Sequence, residues 1–421
     1  MNRLSKWIPE RRWAQAAALL LVLFLVVERY LLIFGQPDLL HDLDRGELKH
    51  LTLAVQGLPD GDNLRMRLYR WLAGPENIHH GGYPMVSLLF VLVSKVFGDS
   101  LQALRLIPAG SAVLAAILTA AWLRRRSGDV AAVVGLALTA GAPLLFFKWS
   151  CTSRGGHLEA IIFAPMLLVV LDLALRSSSK LPWLVAGVIG GFAAYFSYLT
   201  VPMVAVLFTG ALLEAGRRAP GPLKRSAALA LGLFIGFLPW ILGWLILDLP
   251  YLDATIHQSS NPNEAADVHR RGLVTMLQGA WNGLPHNLWP WTFSEATAAA
   301  YMADPSDLLD YQPVQRDWVI RGLIIGTGIL GCLGGLLRKR PLTVAFILLP
   351  SFHYLFVMRL SNPGGWPDIP HRYLVLVFPA VIAASALGVG WILEGAGRIR
   401  KGFGGLLLLA LAWVAVQGIH E

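Results

Sequence analysis

Charge is what this sequence has least of. Only 14% of its 421 residues are Asp, Glu, Lys or Arg, while 55% are hydrophobic and the mean hydropathy is +0.57. A soluble globular domain carries about 25% charged residues, so this composition excludes one and describes a chain whose solvent is mostly lipid. Cysteine is nearly absent: Cys151 and Cys332 lie beside or inside apolar runs, which excludes a disulfide scaffold and makes a bridge between them unexpected. Also missing are internal repeats, a low-complexity tail and a separate soluble domain, so residues 1–421 read as one membrane unit. Acid is scarcer than base, 26 residues against 35. The basic residues fall in short clusters between apolar runs, a pattern of membrane topology and not of a nucleic-acid-binding surface.

What is present in quantity is apolar sequence of bilayer length. Runs fall at roughly 13–34, 104–123, 128–147, 158–175, 224–247, 317–337, 341–358, 371–393 and 403–419. The stretch 181–214 is too long for one crossing and breaks at Thr200-Val201-Pro202, giving two short helices. The expected fold is an all-α polytopic transmembrane bundle of about eleven spans. The first run exceeds a signal-peptide core and no small-residue cleavage site follows it, so it reads as a retained span. Arg11-Arg12, Arg124-Arg125-Arg126, Arg176 with Lys180, Arg217-Arg218 with Lys224-Arg225, Arg338-Lys339-Arg340 and Arg398 to Lys401 all fall on the cytoplasmic side of one topology. That topology leaves Tyr83 to Phe97 outside as a helix lying on the membrane, within a first outer loop of 38–103. A second long outer loop covers 248–316.

The outer segments hold the remaining polar residues. His41-Asp42-Leu43-Asp44-Arg45-Gly46-Glu47 follows the first span directly. Asp44 with Glu47 fits a capping box, which leaves Asp42 without a structural occupation; a carboxylate there could take a proton from an acceptor hydroxyl. Arg154-Gly155-Gly156-His157-Leu158-Glu159 stands at the outer end of the third and fourth spans. Glu159 suits a helix N-terminus, and neither it nor His157 should face lipid. Trp281, Trp289, Trp291, Tyr301 and Tyr311 serve either as an interfacial belt or as platforms for a sugar ring. His79-His80, and His41 with Asp42 and Asp44, lack the i, i+4 spacing of common zinc motifs and read as solvated loop residues.

Taken in order, the outer Asp, a helix ending in Gly57, His80-Gly81-Gly82-Tyr83-Pro84, Phe97-Gly98 and Arg105-Leu106-Ile107-Pro108 resemble the GT-C superfamily of membrane glycosyltransferases. The protein O-mannosyltransferases and lipid A aminoarabinose transferases are the nearest in pattern. The similarity runs from about residue 13 to 215. Counted back from Gly57, the family's Asp falls on Asp42 and its Glu on Leu43, with Asp44 or Glu47 as substitutes; the family's double proline is replaced by Gly82-Tyr83-Pro84. The chain is identified as a divergent member.

The resemblance implies transfer of a sugar from a polyprenyl-phosphate donor to a lipid, glycan or protein acceptor, on the outer face of a membrane such as the bacterial inner membrane. Asp42, with Asp44 second, is the implied base, and Glu159 corresponds to a second acidic position. Pro370-His371-Arg372-Tyr373 resembles an arginine-bearing helix start near the carrier phosphate, although an interfacial anchor would also suit Arg372. Lys148, Arg154, His157 and His80 complete the substrate-binding candidates. One base acting in line would invert the anomeric centre. GT-C enzymes include both users and non-users of a divalent ion, so metal dependence stays open. Three rival readings remain: a ligase or polymerase moving a whole lipid-linked glycan; a lipid or sugar transporter, which should carry its unusual charges near the midplane; and a non-catalytic membrane scaffold, which would have little need of clustered loop acids.

Overall fold

The computed structural model describes residues 11–35, 82–142, 144–153, 158–218, 222–247, 315–361 and 375–393. These are helical with no strand among them, so the expected all-α class holds. Helix α1, Arg12–Tyr30, closes in a π-helical turn, Leu31–Gly35. Then come α2, Gly82–Phe97, and α3, Leu101–Ala140, joined through Gly98, whose φ of 81° is cheap only for glycine. After α4, Leu144–Trp149, a 3₁₀ turn Glu159–Ile162 leads into α5, Phe163–Arg176. Next are α6, Leu181–Phe196; α7, Val201–Arg218; α8, Pro222–Leu247; α9, Gln315–Leu337; α10, Pro341–Ser361; and α11, Phe378–Leu393.

Among the described residues, five helical stretches are long and apolar enough to cross a bilayer: Arg12–Gly35, Leu101–Ala140, Tyr198–Arg217, Leu223–Gly243 and Val375–Leu393. Pro84–Phe97, Leu181–Phe196, Gly322–Leu337 and Pro341–Val357 are shorter apolar helices. Their exposed surface is aliphatic, Leu19, Leu20, Leu231 and Leu245 among it, as lipid contact requires of an integral membrane protein. The run expected at 403–419 lies outside the described residues. Two expected breaks are present. Non-helical Ser127 and Gly128, the latter at φ 75°, divide α3 close to the anticipated boundary. Extended Ser197 and the turn Tyr198–Thr200 separate α6 from α7.

The bundle is held by close backbone contact at two helix pairs. On α6 and α8, Gly187 and Gly191 face Gly232 and Gly236, and a Cβ added to any of the four would collide with a carbonyl oxygen of the other helix. This is the small-residue packing that helices use in lipid, where no hydrophobic force drives them together. Gly331 on α9 and Gly388 on α11 do the same for a second pair.

One end of the bundle is tied by buried ion pairs. Arg126, at the kink of α3, forms an ion pair from Nη2 to Asp172 Oδ1 at 2.8 Å on α5 and donates from Nη1 to Glu214 Oε1 at 3.1 Å on α7. Glu214 Oε2 accepts from the backbone N of Leu342 at 3.2 Å, and Arg340 Nη1 reaches the Arg126 carbonyl at 2.6 Å. Asp172 Oδ2 also meets Arg125 Nε and Arg176 Nε, each at 3.2 Å. The backbone N of Arg11 bonds Asp129 at 3.2 Å. Basic clusters far apart in sequence are thereby brought to one end, as one topology requires. Removing one partner of such a pair leaves an uncompensated buried charge, at a cost of about 3–5 kcal/mol.

Candidate substrate site at the opposite end of the bundle

The first residues of α5 lie about 14 Å from Asp172 and about 20 Å from Arg176 at 1.5 Å per helical residue, and Glu28 and Arg29 lie about 25 Å along α1 from Arg11. Both sets are therefore at the end away from the arginine network. Polar side chains gather there inside an apolar bundle: Arg29, Arg105, Lys148, Thr152, Ser153 and Glu159 are all buried.

Arg29 is 2% exposed at the end of α1. Its Nη1 donates to the Leu25 carbonyl at 3.2 Å and stands 3.6 Å from Glu28 Oε2, while its guanidinium lies over the Phe147 ring, 5.2 Å from the centroid. Nε and Nη2 have no hydrogen-bond partner among the described residues. A cation left partly unsatisfied within a membrane bundle is expensive, and such residues mark ligand paths and binding sites. Leu32 and Ile33, Ala109 of α3, and Cys151 form the apolar packing behind it.

Glu159 opens the 3₁₀ turn that leads into α5, where an acid suits a helix start, and it accepts a hydrogen bond from Ser153 Oγ at 2.5 Å. It is buried, as expected of an ionisable residue in a membrane protein that should not face lipid. Lys148 is buried on α4; its carbonyl accepts from Cys151 N at 3.0 Å and Thr152 Oγ1 at 2.9 Å, which fixes the turn connecting the two candidates. Burial pushes the Cys151 thiol up to about 11, against the pull of Arg29. Both cysteines are free thiols.

Of the sequence-derived candidates, Glu159 and Lys148 are thus placed, at the same end of the bundle. Asp42, Asp44, His80, Arg154, His157 and Arg372 lie outside the described residues, as do the Asp44–Glu47 cap and the aromatic residues of 281–311. Their segments nevertheless join described helices: 36–81 leaves α1 just beyond Arg29, and 154–157 bridges Ser153 and Leu158. Sequence reading missed Arg29, Glu28 and Ser153. A single Glu-Arg pair near the end of a long apolar run was the available signal, since such charge needs a reason in lipid. Among the described residues no group of three His, Cys, Asp or Glu could hold a metal.

Residues 79–244 match the family described as dolichyl-phosphate-mannose-protein mannosyltransferase. The chain is also similar to the archaeal oligosaccharyltransferase AglB from Archaeoglobus fulgidus, solved in complex with an inhibitory peptide and a dolichol-phosphate. That similarity has a TM-score of 0.52 at 14% identity, over 97% of this chain and 55% of that one. The chain has the GT-C fold. An Archaeoglobus fulgidus oligosaccharyltransferase in complex with Zn and sulfate is similar at a TM-score of 0.44 and 14% identity, over 88% of this chain and 52% of the other. This GT-C chain spans about half the length of these solved structures. No curated protein matches it. Within the GT-C fold, the matched residues 79–244 contain His80, Lys148, Arg154, His157 and Glu159, but neither Asp42 nor Arg372.

Proposed function

We propose that this chain is an inverting glycosyltransferase that moves a sugar from a polyprenyl-phosphate donor to an acceptor hydroxyl on the outer face of the membrane. The observation that carries the proposal is Arg29, buried and with two guanidinium nitrogens unsatisfied by any described residue, in a bundle end that also buries Lys148 and Glu159. A polyprenyl carrier keeps its tail in lipid and its phosphate at headgroup level, so an enzyme acting on it must be embedded. The leaving group is already an anion and needs positive charge more than a general acid. Arginine supplies that charge with a planar fork matched to phosphate oxygens. Arg29 and Lys148 take this role, with Arg154 and Arg372 as further phosphate ligands.

On the far side of the sugar, Asp42 accepts the acceptor's proton, and the hydroxyl oxygen attacks the anomeric carbon as the bond to phosphate breaks. Helix α2 lies along the outer membrane surface, and 38–103 and 248–316 form the outer loops. Support for the donor class comes from the family description, which names a dolichyl-phosphate sugar. The test is to incubate the purified protein with a panel of labelled polyprenyl-phosphate sugars and membrane extract. Label leaving one donor for a second product is the expected result; label retained on every member of a panel spanning hexoses, pentoses and amino sugars would refute the proposal.

A further inference from the structure

The end of the bundle that holds the arginine network also contains a cavity that the proposed chemistry does not use. It measures about 560 Å³ and opens where the start of α1, the kink of α3 and the ends of α5 and α11 meet. Its described walls include Arg11, Arg124, Arg125, Arg176, Gly128 and Asp129. Asp129 is already engaged, by Arg124 Nε at 3.0 Å and by the Arg11 backbone N at 3.2 Å. Asp172, behind the wall, pairs with Arg125 and Arg176. Among the described residues, four arginines against two carboxylates leave two positive charges in excess around this space.

The backbone adds to the charge. Gly128 turns the chain at φ 75°, so that the second half of α3 begins at the cavity wall with Asp129 and Val130. The first N–H groups of a helix have no intrahelical acceptor and favour an anion. Arginine forks together with a helix start suit a phosphate group. The depth of the cavity suits a lipid phosphate: Trp13, two residues beyond Arg11, is half exposed, and exposed Leu19 and Leu20 follow it on α1. An interfacial tryptophan next to a lipid-facing aliphatic surface marks headgroup level.

We propose that this cavity binds the phosphate of an anionic phospholipid from the leaflet opposite the one in which glycosyl transfer is proposed. The proposal does not depend on the catalytic reading. The full chain, purified in neutral detergent, would be titrated with phosphatidylglycerol, phosphatidylcholine or inorganic phosphate and followed by native mass spectrometry. The comparison is with the double variant Arg11→Gln, Arg176→Gln, whose thermal unfolding in the same detergent checks its fold. Should that variant unfold, Arg11→Gln alone serves, because Arg11 holds Asp129 through its backbone N, which the substitution keeps. Retention of phosphatidylglycerol at least about tenfold tighter than phosphatidylcholine, weakened about tenfold in the folded variant, is the expected result. Equal binding of the two lipids, or unchanged binding by the folded variant, would overturn the proposal. Binding of inorganic phosphate without preference for phosphatidylglycerol would overturn it too, by assigning the cavity to a soluble anion.

Discussion

Arg29 is the side chain whose surroundings are hardest to explain by packing alone. It is 2% exposed, makes one bond to a carbonyl, and has a Glu28 carboxylate oxygen 3.6 Å away. A charge-assisted contact to phosphate contributes about 1.5–3 kcal/mol, so Arg29→Ala should weaken donor binding about ten- to a hundredfold. Lysine should restore only part of this, lacking the fork. Unchanged donor affinity in a folded alanine variant would remove Arg29 from the site. Asp42 and Asp44 differ in the opposite way. Asp42→Asn should bind donor yet lose about 10²–10⁴ in rate, whereas Asp44→Asn should keep most activity, since Asn caps a helix about as well as Asp. A dead Asp44→Asn with a normal Asp42→Asn, both measured as initial rates, would exchange the two roles. Glu159 was legible because Arg154-Gly155-Gly156-His157-Leu158-Glu159 interrupts two apolar runs. Arg29 was not, because one cation barely lowers the hydropathy of the run around it and burial is a property of the neighbouring helices.

At the scale of the helices, the boundaries were legible where the chain itself carries the break. α6 ends at Phe196 and α7 starts at Val201, within Thr200-Val201-Pro202, and α3 kinks at Ser127-Gly128 beside the triple arginine. The partners of each helix were not legible, because lipid-facing and protein-facing surfaces are both apolar and leave no periodic signal. Small residues are the cue that survives: Gly187 and Gly191 lie four apart on α6, as Gly232 and Gly236 do on α8. Gly191→Leu would force its side chain into the Leu233 carbonyl and should cost about 1–3 kcal/mol or more, seen as a lower unfolding temperature in detergent. Gly216→Ala on α7 meets nothing within 4 Å and should change the transition little. Equal losses from the two substitutions would contradict the close α6–α8 contact. The acids Asp172 and Glu214 went unread because they sit within helices whose arginine partners lie up to 88 residues away.

At the scale of the whole molecule, the described helices carry their charge at two ends. One is closed by Arg126, Asp172, Glu214 and Arg340, which fix the helix ends to one another. The other buries Arg29, Lys148 and Glu159 where residues 36–81 and 154–157 join the bundle. That separation was legible from the basic clusters, because the rule that places Lys and Arg on one side acts on sequence directly. Among the described residues charge gathers at the ends and not at the midplane, which favours chemistry on a lipid-linked donor over its passage across the bilayer. The central claim is tested most directly in proteoliposomes holding the purified chain, a labelled polyprenyl-phosphate sugar and an acceptor extract. Free polyprenyl phosphate and glycosylated product should appear in equal amounts, and both should be lost in Asp42→Asn. Intact donor carried to the other leaflet, with neither product formed, would contradict the account.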